Sequence, residues 1–367
     1  MSRLGLVVLM VLVAEIGAAL LLPMLVSDER YLDWYLTDQQ ISAERRFLRS
    51  NHVLLPDSVT GWRSAPNWRE GTWVTDSLGS RSTGRFEWSR SDRPRVIGLG
   101  SSMMNGDMGV TNAETITAYL EDAGATSLNF GTMLFGVDQA LLQFRHRLID
   151  LGPDWVVVGI DSGAEAALTN TYVPFLRRSE ANMPFVKPRF VLAGDTLVEI
   201  PAAPNRLLGS DRRQALIDHT AIYDGYAGRF ERFRRMGQTP GLAALAWVGE
   251  KVNNRILGSG YRDPSPGLLV ALLEALDTEV DAAGGRLLVL LLPPRPGESG
   301  PPPWMADPFE RRRSDVSRAG LRVVDGRSIV EAVRSAGDDA YGPDGVHFSP
   351  EANRALAAAL WNVIGRD

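Results

Sequence analysis

The chain has 367 residues and a formal net charge of −5, so it carries no basic field that would recruit nucleic acid. Hydrophobic residues make up 44% and charged residues 23%, the balance of a globular protein with room for one large domain with insertions or two smaller ones. There is no Cys, which excludes disulfides, thiolate metal sites and a Cys nucleophile.

Leu4–Val26 is a run of 23 residues whose single charge is Glu15. At about 1.5 Å per residue a helix of that length crosses a hydrocarbon core about 30 Å thick. A cleavable signal would have a shorter apolar core and a small-residue cleavage site. Residues 1–26 are therefore expected to form an uncleaved N-terminal transmembrane anchor. Arg3 precedes the run, and Arg30, Arg45 and Arg46 follow it, so charge alone does not orient it. A short tail before a large domain reads as a signal anchor, with the globular part in the periplasm or outside the cell. Residues 27–94 are polar and irregular, rich in Trp and Arg, and read as a juxtamembrane linker leading into a flank.

From Arg95 a strand–helix alternation begins. RVIGLG (95–100) reads as a strand, AETITAYLEDAG (113–124) as a helix and TSLNFG (126–131) as a second strand. VDQALLQFRHRLIDLG (137–152) is amphipathic and stops at Gly152-Pro153. DWVVVGI (154–160) is continuously apolar, as a strand buried on both faces must be. The stretch from about Tyr172 to Pro266 breaks the rhythm. Within it, residues 187–201 read as a hairpin with a Gly-Asp turn, and 211–260 as helical and Arg-rich. This insertion reads equally as a cover for the active face or as plain elaboration. The alternation resumes with a helix over 268–285, a strand over 286–294, a helix over 308–319, a strand over 321–325 and a closing helix over 350–365. Such a pattern implies a parallel sheet with helices on both faces.

Serine hydrolysis requires a nucleophile, a base, a carboxylate to orient the base, and donors for the developing oxyanion. In a parallel sheet such groups gather at the carboxyl ends of strands. Ser102 lies just past the first strand, in VIGLGSSMMNGDMGV (96–110), where a helix start surrounds it with backbone N–H groups. A plain turn residue would look the same in isolation. The chain has four His: His52, His146, His219 and His347. Only His347 combines a nearby carboxylate, Asp344, with a loop that runs into the last helix, in YGPDGVHFSPEANRALAAAL (341–360). The motif G-x-S-x-G of α/β-hydrolases is not met, because Met104 stands where its last Gly would be. Gly98-Leu-Gly100 lacks the third Gly of a dinucleotide loop.

Ser after the first strand, Gly after the second, a polar block after the third and D-x-x-H before the last helix together resemble the SGNH/GDSL hydrolases, over about residues 95–176 and 286–365. LNFGTMLFGVDQ (128–139) resembles the family's second block, with Gly136 as backbone donor, and GPDWVVVGIDSG (152–163) the approach to its third. The hairpin over 187–201 resembles an insertion of membrane-anchored bacterial members. The resemblance implies a three-layer α/β/α fold with strand order 2-1-3-4-5 over residues 95–367. It further implies ester hydrolysis or acyl transfer without a metal or cofactor, with Ser102, His347 and Asp344 as the triad. Two positions depart from the pattern: Gly100-Ser101-Ser102 replaces Gly-Asp-Ser, and Ile160-Asp161-Ser162-Gly163 lacks the family's Asn. Ser162 then stands as a substitute oxyanion donor, with Asn170 further along. Three functions are compatible: an esterase acting on acylated small molecules, envelope glycans or lipids; an O-acyltransferase; and a binding protein that keeps the fold without catalysis.

Overall fold

The computed structural model describes residues 3–25, 53–88, 92–173, 185–202, 210–227, 263–293 and 301–366, with positions 248, 249, 252 and 256. The apolar N-terminal run forms helix α1, Arg3–Leu25. Leu9 to Val13, Ile16, Leu20 and Leu21 are each roughly half or more exposed on it. Among the described residues no helix is long and apolar enough to cross a membrane. The side chains of Leu4, Leu6, Val8, Ala19 and 22–25 lie outside that description, so the expectation of a span rests on the sequence of the run.

Residues 53–88, read from sequence as linker and flank, form two small hairpins. The first pairs β1 (Leu54–Asp57) with β2 (Gly61–Ser64), and the second β3 (Arg69–Glu70) with β4 (Trp73–Val74). Asp57 Oδ1 closes the first turn by accepting from the N–H groups of Val59 and Thr60 at 2.9 and 2.8 Å. Trp62 is fully buried, stacks on Phe185, meets Phe135 edge-on, and donates its Nε1–H to Met133 O at 2.9 Å. Val53, Leu54, Trp62, Trp68 and Trp73 thus share an apolar cluster with Phe135, Val173 and Phe185 of the main body.

The body follows in chain order. Strand β5 (Arg95–Gly100) leads into the short helix α2 (Ser102–Asn105). Helix α3 (Ile116–Ala123) starts on its N-cap Thr115, which separates it from a 3-10 turn at Asn112–Glu114. Strand β6 (Thr126–Asn129) precedes helix α4 (Val137–Gln143), which widens into a π turn over Phe144–Leu148 and tightens over Ile149–Leu151. Next come β7 (Trp155–Ile160), α5 (Ala164–Leu168) and the hairpin of β8 (Arg189–Ala193) and β9 (Thr196–Ile200), which turns at Gly194 with φ +63°. Helix α6 (Ser210–Tyr223) represents the Arg-rich 211–260 stretch; most of the remainder lies outside the described residues. The chain ends with α7 (Leu268–Ala282), β10 (Arg286–Leu291), α8 (Pro308–Arg318), β11 (Val323–Asp325), α9 (Gly326–Ser335) and α10 (Pro350–Ile364).

Five strands make one parallel sheet in the order β11-β10-β7-β5-β6. Numbered by their appearance in the sheet, this is the expected 2-1-3-4-5. Alternate residues of a strand point to opposite faces, and the sheet accordingly has two cores. Val156, Val158 and Ile160 of β7 pack with Ile97, Leu99 and Val289 beneath α4 and α7. Trp155 and Val157 pack with Val96, Leu288 and Leu290 beneath α3 and α10. The architecture is therefore three layers, α/β/α.

If residues 53–88 are part of this packed body, Trp62→Ala will lower stability by about 3–5 kcal/mol, the usual range for deleting a buried aromatic ring. Equilibrium urea unfolding of the full chain in mild detergent measures it. A residue in a true linker would change stability by less than about 0.5 kcal/mol.

Candidate active site

The site forms where β5 and β7 end side by side. Gly100, at φ +135°, lies against β7, and a Cβ there would stand 2.7 Å from the carbonyl oxygen of Gly159. The strand can therefore turn sharply into α2 only with Gly at this position. Ser101 is the N-cap of α2, its Oγ accepting from Met103 N–H at 3.3 Å. Ser101, at the position where the resemblance leads to Asp, serves the turn. Ser102 is the first residue of α2 and is buried. Its own N–H belongs to the group that a helix start leaves without an intrahelical partner.

The partner loop comes from the other end of the chain. Tyr341 and Phe348 form an antiparallel bridge, and Gly342 N–H donates to His347 O at 2.7 Å. Ser349 caps α10 by accepting from Ala352 N–H at 3.2 Å, with Pro350 in its first turn. Within this frame Asp344 Oδ1 accepts from the N–H groups of Val346 and His347 at 2.8 and 3.0 Å. Asp344 Oδ2 lies 2.5 Å from His347 Nδ1, and His347 Nε2 lies 2.9 Å from Ser102 Oγ. With the Nδ1 proton donated to Asp344, Nε2 is left to accept from the Ser102 hydroxyl. Burial pushes the Asp344 carboxyl up, but the hydrogen bonds from His347 and from the backbone outweigh it, and its pKa lies below the usual carboxylate value.

His146 and His219 do not reach this place. His146 is exposed on the π turn, and His219 Nε2 faces Pro201 O at 2.8 Å. His52 lies outside the described residues.

A small cavity of about 30 Å³ adjoins Ser102, walled by the β6–α4 loop, the end of β7, α5, Asn170, Val173 and Lys187. Of the oxyanion donors named from sequence, Ser102 lines the cavity with its N–H at a helix start; the others have partners elsewhere. Gly136 lines the cavity, but its N–H donates to Gln139 Oε1 at 3.1 Å, in a capping box at the start of α4. Gln139 is itself held by donating to Thr60 O at 2.7 Å. Ser162 is absent from the described lining, and its carbonyl accepts from Arg312 Nη2 at 3.2 Å. Asn170 lines the cavity but spends its amide hydrogens on Tyr172 O at 2.7 Å and Asp224 Oδ2 at 3.0 Å. Asp161 lines it too, its Oδ1 accepting from Gly163 N–H at 3.0 Å. In the loop between β6 and α4, Gly131, Thr132, Phe135 and Gly136 all donate internally. Leu134 lines the cavity with φ +63°, a conformation rare for Leu.

Buried charge surrounds the site. Lys187 and Asp138 form a fully buried ion pair in its wall, and burial pushes the Lys187 pKa down. Asp224 accepts from Thr171 N–H at 2.6 Å and Tyr172 N–H at 2.9 Å; burial pushes its pKa up. Arg81, from the flank, is pushed down to about 10 by burial and donates to the carbonyls of Asn105, Asp107 and Val110 at 3.1, 2.5 and 2.5 Å. Asp107 Oδ2 then lies 3.4 Å from His347 Nε2. Sequence reasoning passed over both residues. A Gly-Asp pair four and five residues past Ser102 was the available signal.

No family model matches the chain, and no curated protein sequence matches it. Solved structures are similar in fold. A member of the lipolytic protein G-D-S-L family from Veillonella parvula DSM 2008 is 9% identical, with a TM-score of 0.39, over 74% of this chain and 99% of its own. The structure of TesA is 12% identical, with a TM-score of 0.39, over 74% and 98%. An acetylxylan esterase from Geobacillus stearothermophilus is 14% identical, with a TM-score of 0.37, over 75% and 95%. At these values the likenesses concern the path of the chain and say nothing of what it acts on.

Because the folded-state pKa of Asp344 is depressed, its stabilising contribution is present above the unfolded value of about 3.9 and is lost as pH falls below it. The stability difference between the wild type and Asp344→Asn should accordingly shrink below about pH 4, as measured by thermal unfolding across pH. The strand order, the Ser102 turn after the first sheet strand, and the Asp344–His347 loop before the last helix agree with the fold and order of residues that the resemblance to SGNH/GDSL hydrolases implies.

Proposed function

We propose that the protein is a serine ester hydrolase that removes a short acyl group, with Ser102 as nucleophile, His347 as base and Asp344 as orienting carboxylate. The observation that carries this reading is the hydrogen-bonded chain Ser102–His347–Asp344, closed between residues 245 apart in sequence. Ser102 Oγ attacks the acyl carbonyl while Nε2 takes its proton. The imidazolium formed is stabilised by Asp344 and delivers that proton to the leaving alcohol. Water then enters by the reverse route to release the acid. The tetrahedral oxyanion is assigned to the N–H groups of Ser102 and Leu134, since Gly136 and Asn170 are engaged elsewhere.

The size of the cavity supports an acetyl substrate. A water needs roughly 10–15 Å³ of such space, so about 30 Å³ holds one or two water-sized groups, room for a methyl group and little for a long chain. The apolar sequence of Leu4–Val26 supports placement at a membrane through a single-pass anchor, with the catalytic body on the periplasmic or outer side. Acylated envelope glycans or lipids are the substrates such placement would offer. The internal engagement of Gly136 and Asn170 favours a second reading, a binding protein of the same fold without catalysis. Acyl transfer shares every residue of the triad.

Hydrolysis of phenyl acetate by the full chain, beside Ser102→Ala, separates the readings. The esterase reading expects a loss of at least about 10³-fold in the variant, and a wild-type kcat/KM that falls at least about tenfold from acetyl to butyryl. Equal rates for the two proteins, or no turnover from either, would favour the binding protein. Sidedness has its own test, because the chain has no Cys. Asp338→Cys, at an exposed position, should be labelled by a membrane-impermeant maleimide added from the periplasmic or outer face and protected from one confined to the cytoplasmic face.

A further inference from the structure

Asp107 has no part in the mechanism above, yet its carboxylate Oδ2 lies 3.4 Å from His347 Nε2. The imidazole therefore has a carboxylate at each end, Asp344 at Nδ1 and Asp107 beside Nε2. The backbone that carries Asp107 is held in place. Its φ is +41°, a value few residues other than Gly adopt. Arg81 donates to its carbonyl at 2.5 Å and to those of Asn105 and Val110 on either side. Gly109, two residues on, lies close enough to His347 that a Cβ added there would stand 3.7 Å from the His347 Cβ. Left-handed backbone at a non-Gly residue persists only where surrounding contacts over-determine it, and such positions cluster at functional sites.

Building on the esterase reading, we infer that Asp107 holds the water that hydrolyses the acyl-enzyme, and thereby commits the site to hydrolysis over transfer to an alcohol. A water oxygen at about 2.8 Å from both Asp107 Oδ2 and His347 Nε2 completes a triangle whose third side is the observed 3.4 Å. Water has two hydrogens for these two acceptors. One passes to Nε2 as the oxygen bonds to the acyl carbon. The other stays on the oxygen and is accepted by Asp107. The bond from Ser102 Oγ to the acyl carbon then breaks, and Nε2 returns its proton to Oγ. Asp107 itself exchanges no proton in these steps. An alcohol has a single O–H. Once that hydrogen is directed at Nε2, the carbon substituent faces the Asp107 carboxylate, which loses solvation and receives no donor in exchange. The arrangement favours the acceptor that can donate twice.

The test uses the full chain in mild detergent with 4-nitrophenyl acetate, whose leaving group departs without a proton. Added methanol competes with water for the acetyl-enzyme, and the ratio of methyl acetate to acetate is measured. Asp107→Ala should slow hydrolysis of the acetyl-enzyme roughly tenfold or more and raise the ratio by a similar factor, the effect of removing one charge-assisted hydrogen bond. Acetylated Ser102 should accumulate in that variant and be seen by mass spectrometry after acid quench. Asp107→Asn keeps an acceptor oxygen and should fall between the wild type and Asp107→Ala. An unchanged ratio in Asp107→Ala, with Ser102 still acetylated, overturns the inference and leaves the esterase reading standing. Failure of Asp107→Ala to acetylate Ser102 also overturns it, because Asp107 would then serve acylation or folding. Absence of Ser102-dependent turnover in the wild type removes both.

Discussion

At the carboxyl ends of β5 and β7 neither Gly100 nor Gly159 has room for a side chain. A Cβ on Gly100 would press on the Gly159 carbonyl, and one on Gly159 would overlap the Met104 side chain. This contact lets the chain turn from strand to helix within a residue and leaves Ser102 at the carboxyl end of the sheet. It also falls where the strand order reverses: after β5 the chain goes out to β6 and returns to β7 on the other side. Such a reversal opens a crevice at the strand ends, and the short cavity beside Ser102 occupies it.

The flank is stitched into that crevice by a few long-range bonds. Thr60 O accepts from Gln139, which in turn accepts from Gly136 N–H. Trp62 donates to Met133 O. Arg81 reaches the other side of the site, between β5 and α3. Burying a guanidinium costs several kcal/mol, and the lowered Arg81 pKa reflects it. Its carbonyl acceptors, at about 1.5–3 kcal/mol for each hydrogen bond to a charged group, offset that cost and hold residues 105–110 in one conformation. The geometry at His347 Nε2 thus depends on a residue well upstream of the α/β body.

Buried carboxylates do similar work around the loop after β7. Asp224, from the insertion, gathers the N–H groups of Thr171 and Tyr172 and the amide of Asn170. Glu165 on α5 receives Arg312 from α8 through Nε at 2.9 Å and Nη2 at 2.5 Å. Removing one member of such a pair leaves an uncompensated buried charge, which is strongly destabilising. The insertion residues described here therefore brace the floor of the site.

The elements legible beforehand are those whose information is local. The sheet strands are continuous apolar runs bounded by Gly, Pro or polar turns, and their order followed from the resemblance and was matched in the sheet. Asp344 and His347 are three residues apart, and the bonds that join them run within one turn. Ser102 was readable because strand-to-helix turns put their first residue at the carboxyl end of the sheet. Spacing alone did not reveal which amides near Ser102 were already taken: Gly136 is engaged by Gln139, and Asn170 by Asp224, 54 residues away. Asp107 and Arg81 escaped notice for the same reason. Arg81 and Asp107 meet across 26 residues of chain, and Asp107 and His347 across most of the body. A polar group's partner is a property of packing, because most buried donors pair with an acceptor that the fold supplies. Local periodicity can say that a residue is buried beside a strand end, but only the assembled layers decide which hydrogen bonds remain for a substrate.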